Sequence, residues 1–469
     1  MFIKQLYTSC LSEAAYYIED GGEAAVIDPL RDIDVYTSLA SERKSEIKYI
    51  FETHFHADFV SGHLDLQQLT GAPIIYGPST VTHFPSRIAK DGERFQIGNC
   101  TIEVLHTPGH TLESVCYLLR NAEGEPHCVF TGDTLFVGDV GRPDLSSGDL
   151  SSESLAGMLY DSLEKHIKTL PDHVIVYPAH GPGSSCGKNI GPDTKTTIGA
   201  QKQSNYALLA NTREEFIKVV TEGLGAPPGY FFINARINKE GYSALQEIIN
   251  KGMNAFTVNE FRSRMSATDD PIILDTRNEE AFTAGFIPGS IFIGLNGRYA
   301  EWAGSLLPYE KSVLLVTEPG KEEESIVRLA RVGLDRVVGY LKGGYDAWTK
   351  AGQQTDMIID VEADELAMDI PFDDRLLVVD VRKETEYADG HVQDALNLPL
   401  DEMNDPGSMS NLEEDQNLYI HCAGGYRSVI AASLLKRQGF HNLRNILGGW
   451  AKIKEQKGIT TVKESKVLN

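Results

Sequence analysis

Six short apolar runs in the first half of the chain, AAVIDP, IKYIFETH, APIIYG, TIEVLHTPGH, HCVFTGD and HVIVYPAH, each end in polar or metal-capable residues. Runs of this length, rich in β-branched and aromatic residues, read as strands buried inside an α/β domain. If every such strand carries its functional residues at its carboxyl end, the chemistry sits on one rim of the sheets. The histidines agree, since ten of the thirteen lie between His54 and His180.

The densest part of that rim is THFHADFVSGH, residues 53–63, which holds His54, His56 and Asp58. Later strand ends add His110 in HTPGHT, Asp133 in FTGDTLF and His180 in YPAHGP. A single histidine at a strand end is more often structural, but this ordered series reads as a metal site. Phe59 stands where a further imidazole would complete a second metal, and a phenyl ring has no lone pair to donate.

The series closely resembles the metallo-β-lactamase superfamily over roughly the amino-terminal half of the chain, and within it the persulfide dioxygenase branch. That resemblance implies one Fe(II) per chain, held by His54, His110 and Asp133. Two imidazoles and a carboxylate leave positions open for two reactants, as non-haem iron chemistry requires. Phe59 fits a single-metal site, and His56, Asp58 and His180 then surround the ligands and orient them or water. GDVGRPD, residues 138–144, resembles the Gly-Arg-x-Asp stretch of the branch, which assigns Arg142 to substrate binding. The alternative is a glyoxalase II-like hydrolase in which zinc activates water to cleave a thioester. A scaffold built on an inactive metallo-fold is disfavoured because all three proposed iron ligands are intact.

The second half repeats itself. ILDTRNEEAFTAGFIPGSIFIGL from Ile273 and VVDVRKETEYADGHVQDALNLPL from Val378 share a β-rich run, an Asp-x-Arg turn, an acidic helix start and a second short strand. LKGGYDAW from Leu341 and LGGWAKI from Leu447 close the two copies. This is a domain duplication built of parallel α/β units. In the later copy, LYIHCAGGYRSVIAASLL delivers Cys422 from an apolar strand into a glycine-rich loop that opens a helix. Backbone N–H groups and the positive helix end favour a thiolate and then a persulfide, while Arg427 attracts an anionic donor or acceptor. The pattern C-x-x-G-x-R, with DVR and GHVQDALNLPL, resembles the rhodanese sulfurtransferases and implies that Cys422 and Arg427 are catalytic. The corresponding loop of the earlier copy, LLVTEPGKEEES, has no cysteine; Glu318 stands near its place, which reads as a catalytically silent rhodanese.

The chain has 469 residues, enough for three domains of roughly 100–200 residues. The expected architecture is a metallo-β-lactamase αββα sandwich over residues 1–256, a silent rhodanese-like α/β domain over 257–358 and an active rhodanese domain over 359–469. The module order resembles that of bacterial persulfide dioxygenase-sulfurtransferase fusions. HGPGSSCGK adds Cys186, which the same resemblance places against the substrate, with an unreactive loop cysteine as the alternative. Cys10, Cys100, Cys116 and Cys128 sit in or beside apolar runs and read as small buried hydrophobes.

A net charge of -24 argues against nucleic acid or anionic membrane as partners. The amino terminus has no apolar run of signal or membrane-spanning length and reads as a strand of a cytoplasmic enzyme. The expected reaction is oxidation of a low-molecular-weight thiol persulfide by oxygen to sulfite and thiol. It is coupled to rhodanese transfer that forms or uses thiosulfate, in sulfide detoxification. The family implies a glutathione, coenzyme A or bacillithiol carrier and a homo-oligomer. Lys188, Lys195 and Lys202 against the single acid Asp193, between Cys186 and Lys202, favour a phosphate-bearing thiol.

Overall fold

The computed structural model describes residues 1–145, 150–410 and 412–464. Contacts divide the chain into two units, Met1–Leu245 with Ala330–Gly333, and the remainder.

The first unit contains two six-stranded sheets. One runs β1 (Phe2–Thr8), β2 (Glu13–Asp20), β3 (Glu23–Ile27), β4 (Glu46–Phe51), β5 (Ile74–Tyr76), β6 (Arg87–Ile88). The other has β7 (Arg94–Ile97), β8 (Cys100–His106), β9 (Val115–Arg120), β10 (Pro126–Gly132), β11 (Ile175–Pro178) and β12 (Thr196–Thr197), ordered β12-β11-β10-β9-β8-β7.

Alternation along the strands explains the layering, because successive side chains leave a strand on opposite faces. In β2, Ala14, Tyr16 and Ile18 enter the core between the sheets, which also takes Phe51, Tyr117 and Phe130. Ala15 and Tyr17 face the other way, into a cluster with Tyr36, Ala40 and Leu66 of the covering helices. In β9 and β10, Cys116, Leu118 and Val129 likewise turn outward onto the helical residues Leu159, Leu163 and Phe216. Both faces of both sheets are therefore buried, which is the αββα sandwich. Each such apolar side chain contributes about 1.5–3 kcal/mol when removed from water.

Strand direction then sets the rim. β3 and β4 are parallel, so Asp28 and the segment from Glu52 emerge at the same end. In the second sheet β8 and β10 are both antiparallel to β9, and β10 is parallel to β11. His110, Asp133 and His180 thus follow strands that finish on one side. Cys100, Cys116 and Cys128 are buried in the apolar clusters as expected, and burial pushes the Cys116 thiol up to about 11. Cys10 differs, being partly exposed, because it lies in the turn after β1 rather than in a strand.

The second unit holds the duplication as two five-stranded parallel sheets. The first consists of β13 (Ala255–Phe256), β14 (Ile272–Asp275), β15 (Ile291–Phe292), β16 (Val313–Val316) and β17 (Val337–Leu341), ordered β13-β17-β16-β14-β15. The second has β18 (Ile359–Val361), β19 (Leu376–Asp380), β21 (Leu396–Asn397), β22 (Asn417–His421) and β23 (Leu443–Ile446), ordered β18-β23-β22-β19-β21. The strand order is the same in both copies. A short strand β20 (His391–Val392) pairs with β24 (Thr461–Val462) in the later copy. The Asp-x-Arg turns are matching buried ion pairs: Arg277 on Asp275 at 2.7 Å and Arg382 on Asp380 at 2.5 Å. Among the described residues no helix is long and apolar enough to cross a membrane.

Candidate metal centre and sulfur-transfer loop

His54, His110 and Asp133 come together at the rim, buried, with one ligand atom from each lying within 4.8 Å of the others. Asp133 Oδ2 stands 3.3 Å from His110 Nε2 and 3.8 Å from His54 Nε2. The surroundings choose the tautomers. His110 Nδ1 faces the carbonyl oxygen of Arg142 at 2.9 Å, an acceptor only, so Nδ1 carries the proton and Nε2 keeps its lone pair. The Thr53 hydroxyl donates to Asp28 at 2.8 Å, and its oxygen therefore accepts from His54 Nδ1 at 2.9 Å. His54 Nε2 is free in the same way. Burial, then the neighbouring His56, His110 and His180, hold the His54 pKa well below its ordinary value. This keeps the ring in its ligating form.

The site fits a metal. His110 Nε2 and both oxygens of Asp133 are buried without a hydrogen-bond partner, a costly state for polar atoms unless an ion satisfies them. Gly141 lets the chain close over the site: a Cβ there would stand 2.0 Å from the Asp133 carbonyl oxygen and 2.9 Å from His110 Nδ1.

His56 does not join the cluster. Its Nε2 lies 3.0 Å from Asp28 and 3.6 Å from Glu52, and its ring stacks on Phe59 at 4.3 Å. Burial opposes charging this ring, but the two carboxylates outweigh it and raise the pKa to about 9. His56 is thus an imidazolium locked between acids. Glu13 is also fully buried, with both oxygens unpartnered. Burial, then Asp58 and Asp28, push its carboxyl well above the usual range. Asp28, Glu52 and Glu13 were not singled out in the sequence, although AAVIDP and IKYIFETH carry the first two at their strand ends.

On the other side of Asp133, Oδ1 stands 3.4 Å from His180 Nε2, which is 3.5 Å from Asp58. Cys186 Sγ falls within 4.8 Å of ligand atoms of Asp58 and His180. The loop bearing Cys186 is anchored by residues that sequence reasoning read otherwise or missed. Asp139 accepts the backbone N–H groups of Lys188 and Asn189 at 2.7 and 2.5 Å. Arg142 pairs with Asp144 through two bonds of 2.7 and 2.8 Å and donates to the carbonyls of Ser185 and Gly225. Its guanidinium, assigned to substrate from the sequence, is committed to the protein, while its carbonyl orients His110. Of the lysines read as phosphate-facing, Lys202 pairs with Asp172 at 2.7 Å and Lys188 reaches the carbonyls of Val219 and Glu222.

The sulfur loop lies in the second unit. Cys422 is buried at the end of β22, and the N–H of Gly425 donates to its Sγ at 3.1 Å. The helix Tyr426–Arg437 follows with no acid in its first turn. Arg427 does not approach the sulfur unopposed: two bonds of 2.7 and 2.8 Å hold it on Glu386. In the earlier copy the register corrects the sequence alignment. Asp275 pairs with Val316 and Asp380 with His421, so Thr317, not Glu318, is the counterpart of Cys422. The closing glycines agree, because a Cβ on Gly344 would meet the Thr317 carbonyl oxygen and one on Gly449 that of Cys422. Glu318 comes one residue later and lines a small polar cavity with Lys321 and Glu324.

Comparison with known proteins follows the same division. The metallo-beta-lactamase superfamily model matches residues 9–180. A metallo-beta-lactamase structure from Staphylococcus aureus aligns over 73% of this chain and 99% of that one, at 32% identity and a TM-score of 0.64. The chain belongs to the metallo-beta-lactamase superfamily. In this member two rhodanese-like domains follow, matched at residues 257–351 and 362–456. A probable hydroxyacylglutathione hydrolase of Schizosaccharomyces pombe is 34% identical over 34% of this chain, which spans 60% of that protein's length. The structure of ETHE1 from Myxococcus xanthus aligns at 31% identity over 51% of this chain and 98% of that one, with a TM-score of 0.44.

Proposed function

We propose that the first unit oxidises a low-molecular-weight thiol persulfide with oxygen, and that the later rhodanese domain passes sulfane sulfur to the sulfite formed. The net first reaction is RSSH + O2 + H2O → RSH + H2SO3. The observation that carries this reading is the single two-histidine, one-carboxylate cluster, with Phe59 in a ligand's place and His56 turned onto Asp28 and Glu52. A ferrous ion held by His54, His110 and Asp133 supplies a centre at which a soft sulfur donor and oxygen meet.

The chain's own residues prepare that site. Thr53 and the Arg142 carbonyl present the two Nε2 lone pairs, and Phe59 excludes a further ligand. Arg142 and Asp139 hold the loop that sets Cys186 beside Asp58 and His180. In the rhodanese domain the Cys422 thiolate attacks the outer sulfur of a persulfide. The S–S bond breaks, its electron pair leaves with the thiol, and Cys422 holds the persulfide under the Gly425 N–H. A sulfite lone pair then takes the outer sulfur, releasing thiosulfate and the Cys422 thiolate. Because Lys188 and Lys202 already have partners, a glutathione-type carrier fits better than a phosphate-bearing one. The hydrolase named above acts, by its name, on a glutathione conjugate.

The competing reading is thioester hydrolysis, favoured by the hydroxyacylglutathione hydrolase likeness and by the retained Asp58, Asp133 and His180. The deciding experiment measures iron content, oxygen uptake with glutathione persulfide, and anaerobic cleavage of an acyl-glutathione thioester. We expect one iron per chain, persulfide-dependent oxygen uptake, and loss of both in His110→Ala. Thioester cleavage without any oxygen uptake sinks the proposal.

A further inference from the structure

The cluster on the far side of Asp133 is a built site in its own right. Asp58, His180 and Cys186 are buried and their ligand atoms converge. His180 Nδ1 faces the Ser12 carbonyl oxygen at 3.2 Å, so its proton sits there and Nε2 points into the cluster with its lone pair free. That Nε2, together with Asp58 Oδ1 and Asp133 Oδ1, has no hydrogen-bond partner. These are three polar atoms left without satisfaction in a dry place, and hydrogen bonds within the protein do not explain them.

The spacing identifies what they suit. Separations of 3.4 and 3.5 Å from His180 Nε2 to Asp133 and Asp58 match the edge of a tetrahedron whose centre lies about 2.1 Å from each corner, the zinc–imidazole and zinc–carboxylate bond length. A thiolate as the remaining donor selects a thiophilic cation over magnesium or calcium. Phe59 removes the imidazole that an adjacent residue would offer here, and Cys186 arrives from a different loop, between β11 and β12.

We propose that Asp58, His180 and Cys186, with Oδ1 of Asp133, form a second cation site, selective for a thiophilic divalent metal of the zinc class, in which the Cys186 thiolate replaces the ligand that Phe59 cannot be. Binding releases the thiol proton to solvent and forms the sulfur–metal bond. Asp133 then bridges two cations, giving Oδ2 to the His54 and His110 side and Oδ1 to this one. Occupancy takes Cys186 away from any sulfur substrate, so such a cation inhibits persulfide-dependent oxygen uptake. The site itself does not depend on which reaction the first cluster performs.

Cobalt(II) is the probe, because thiolate ligation gives it a near-ultraviolet charge-transfer band that oxygen and nitrogen ligands do not. Full-length protein is stripped with a chelator, titrated anaerobically with Co2+, and analysed for bound metal and absorbance. Wild type is expected to bind two equivalents, one of them with the thiolate band. Cys186→Ser loses the band and binds that equivalent ~10–100-fold more weakly, whereas Cys422→Ser keeps both. Adding Phe59→His to Cys186→Ser restores the second equivalent without the band. A single equivalent in wild type overturns the proposal, as does a band that survives Cys186→Ser. His110→Ala serves the other question: loss of iron there with the band retained separates failure of the first site from failure of this one.

Discussion

The two rhodanese copies share strand order, sheet direction and the buried Asp–Arg pair, yet differ within one loop. In the later copy β22 ends on Cys422, two glycines turn the chain and the next helix opens without an acid. In the earlier copy β16 leads to Thr317 and Glu318, and the helix Glu322–Ala330 begins with three glutamates. Those carboxylates sit where an anionic sulfur donor would have to be welcomed, at the positive end of a helix. Scaffold and chemistry are therefore separable here: the parallel sheet and its ion pair make the domain, and the residues after one strand decide whether it moves sulfur.

The largest effect should come from removing the nucleophile. Cys422→Ser is expected to lower sulfur transfer from thiosulfate by more than ~10³-fold while oxygen uptake continues. Sulfite then replaces thiosulfate as the product of thiol persulfide oxidation, seen by thiol-labelling chromatography. Wild-type thiosulfate yields from the variant would remove Cys422 from the route.

The shared scaffold is tested by Asp275→Asn and Asp380→Asn. Each leaves a buried arginine without its counter-charge, which costs ~3–5 kcal/mol, and the loss should be alike in the two copies. Hydrogen exchange in β14 and β19 reads it locally; a large loss in one copy and none in the other would show that the pair is not common architecture.

A smaller effect is expected at Glu386→Gln, which loosens Arg427 beside the active loop and should lower transfer by ~10-fold. Burial raises the Glu386 pKa, but the Arg427 hydrogen bonds and charge outweigh it, and the net value lies below 4.5. A carboxyl depressed in this way contributes its stabilisation above its ordinary pKa and loses it as pH falls through the folded value. The wild-type rate should accordingly fall toward the variant's rate below pH 4.5, and a constant ratio across that range would dissociate the pair from the loop.

The smallest change is predicted for Thr317→Cys in a Cys422→Ser background. A thiol at the matched position still faces Glu318 and the acidic helix start, so sulfur transfer should remain at background in a thiosulfate–cyanide assay. Recovery of activity would mean that the missing thiol alone had silenced the copy.

Much of this was legible in one dimension because strand periodicity and strand ends are local properties. The six apolar runs are strands or strand ends in the structure, and His54, His110 and Asp133 converge as their placement implied. Glu318 is where linear reading slipped: the two loops differ in length, and only the pairing of β14 with β16 and of β19 with β22 identifies Thr317 as the matched residue. Arg142 and Arg427 were read as anion-facing from their motifs, but a guanidinium has five donors and goes to whatever acceptors the fold brings near. Here those are Asp144 with two loop carbonyls, and Glu386.

By itself the sequence determined the two fold types, their order, the duplication and the residue types available at the rim, because alternation and turn chemistry act over a few residues. The tertiary structure decided which atoms face one another. Asp28 and Glu52 draw His56 away from the metal cluster, and Phe59 stacks on it in that position. Asp133 divides its two oxygens between two sets of ligands, and Cys186, from a loop beyond β11, meets Asp58 from the loop after β4. Such encounters join residues far apart in the chain, and the hydrogen bonds and burial that select them exist only once both sheets are packed.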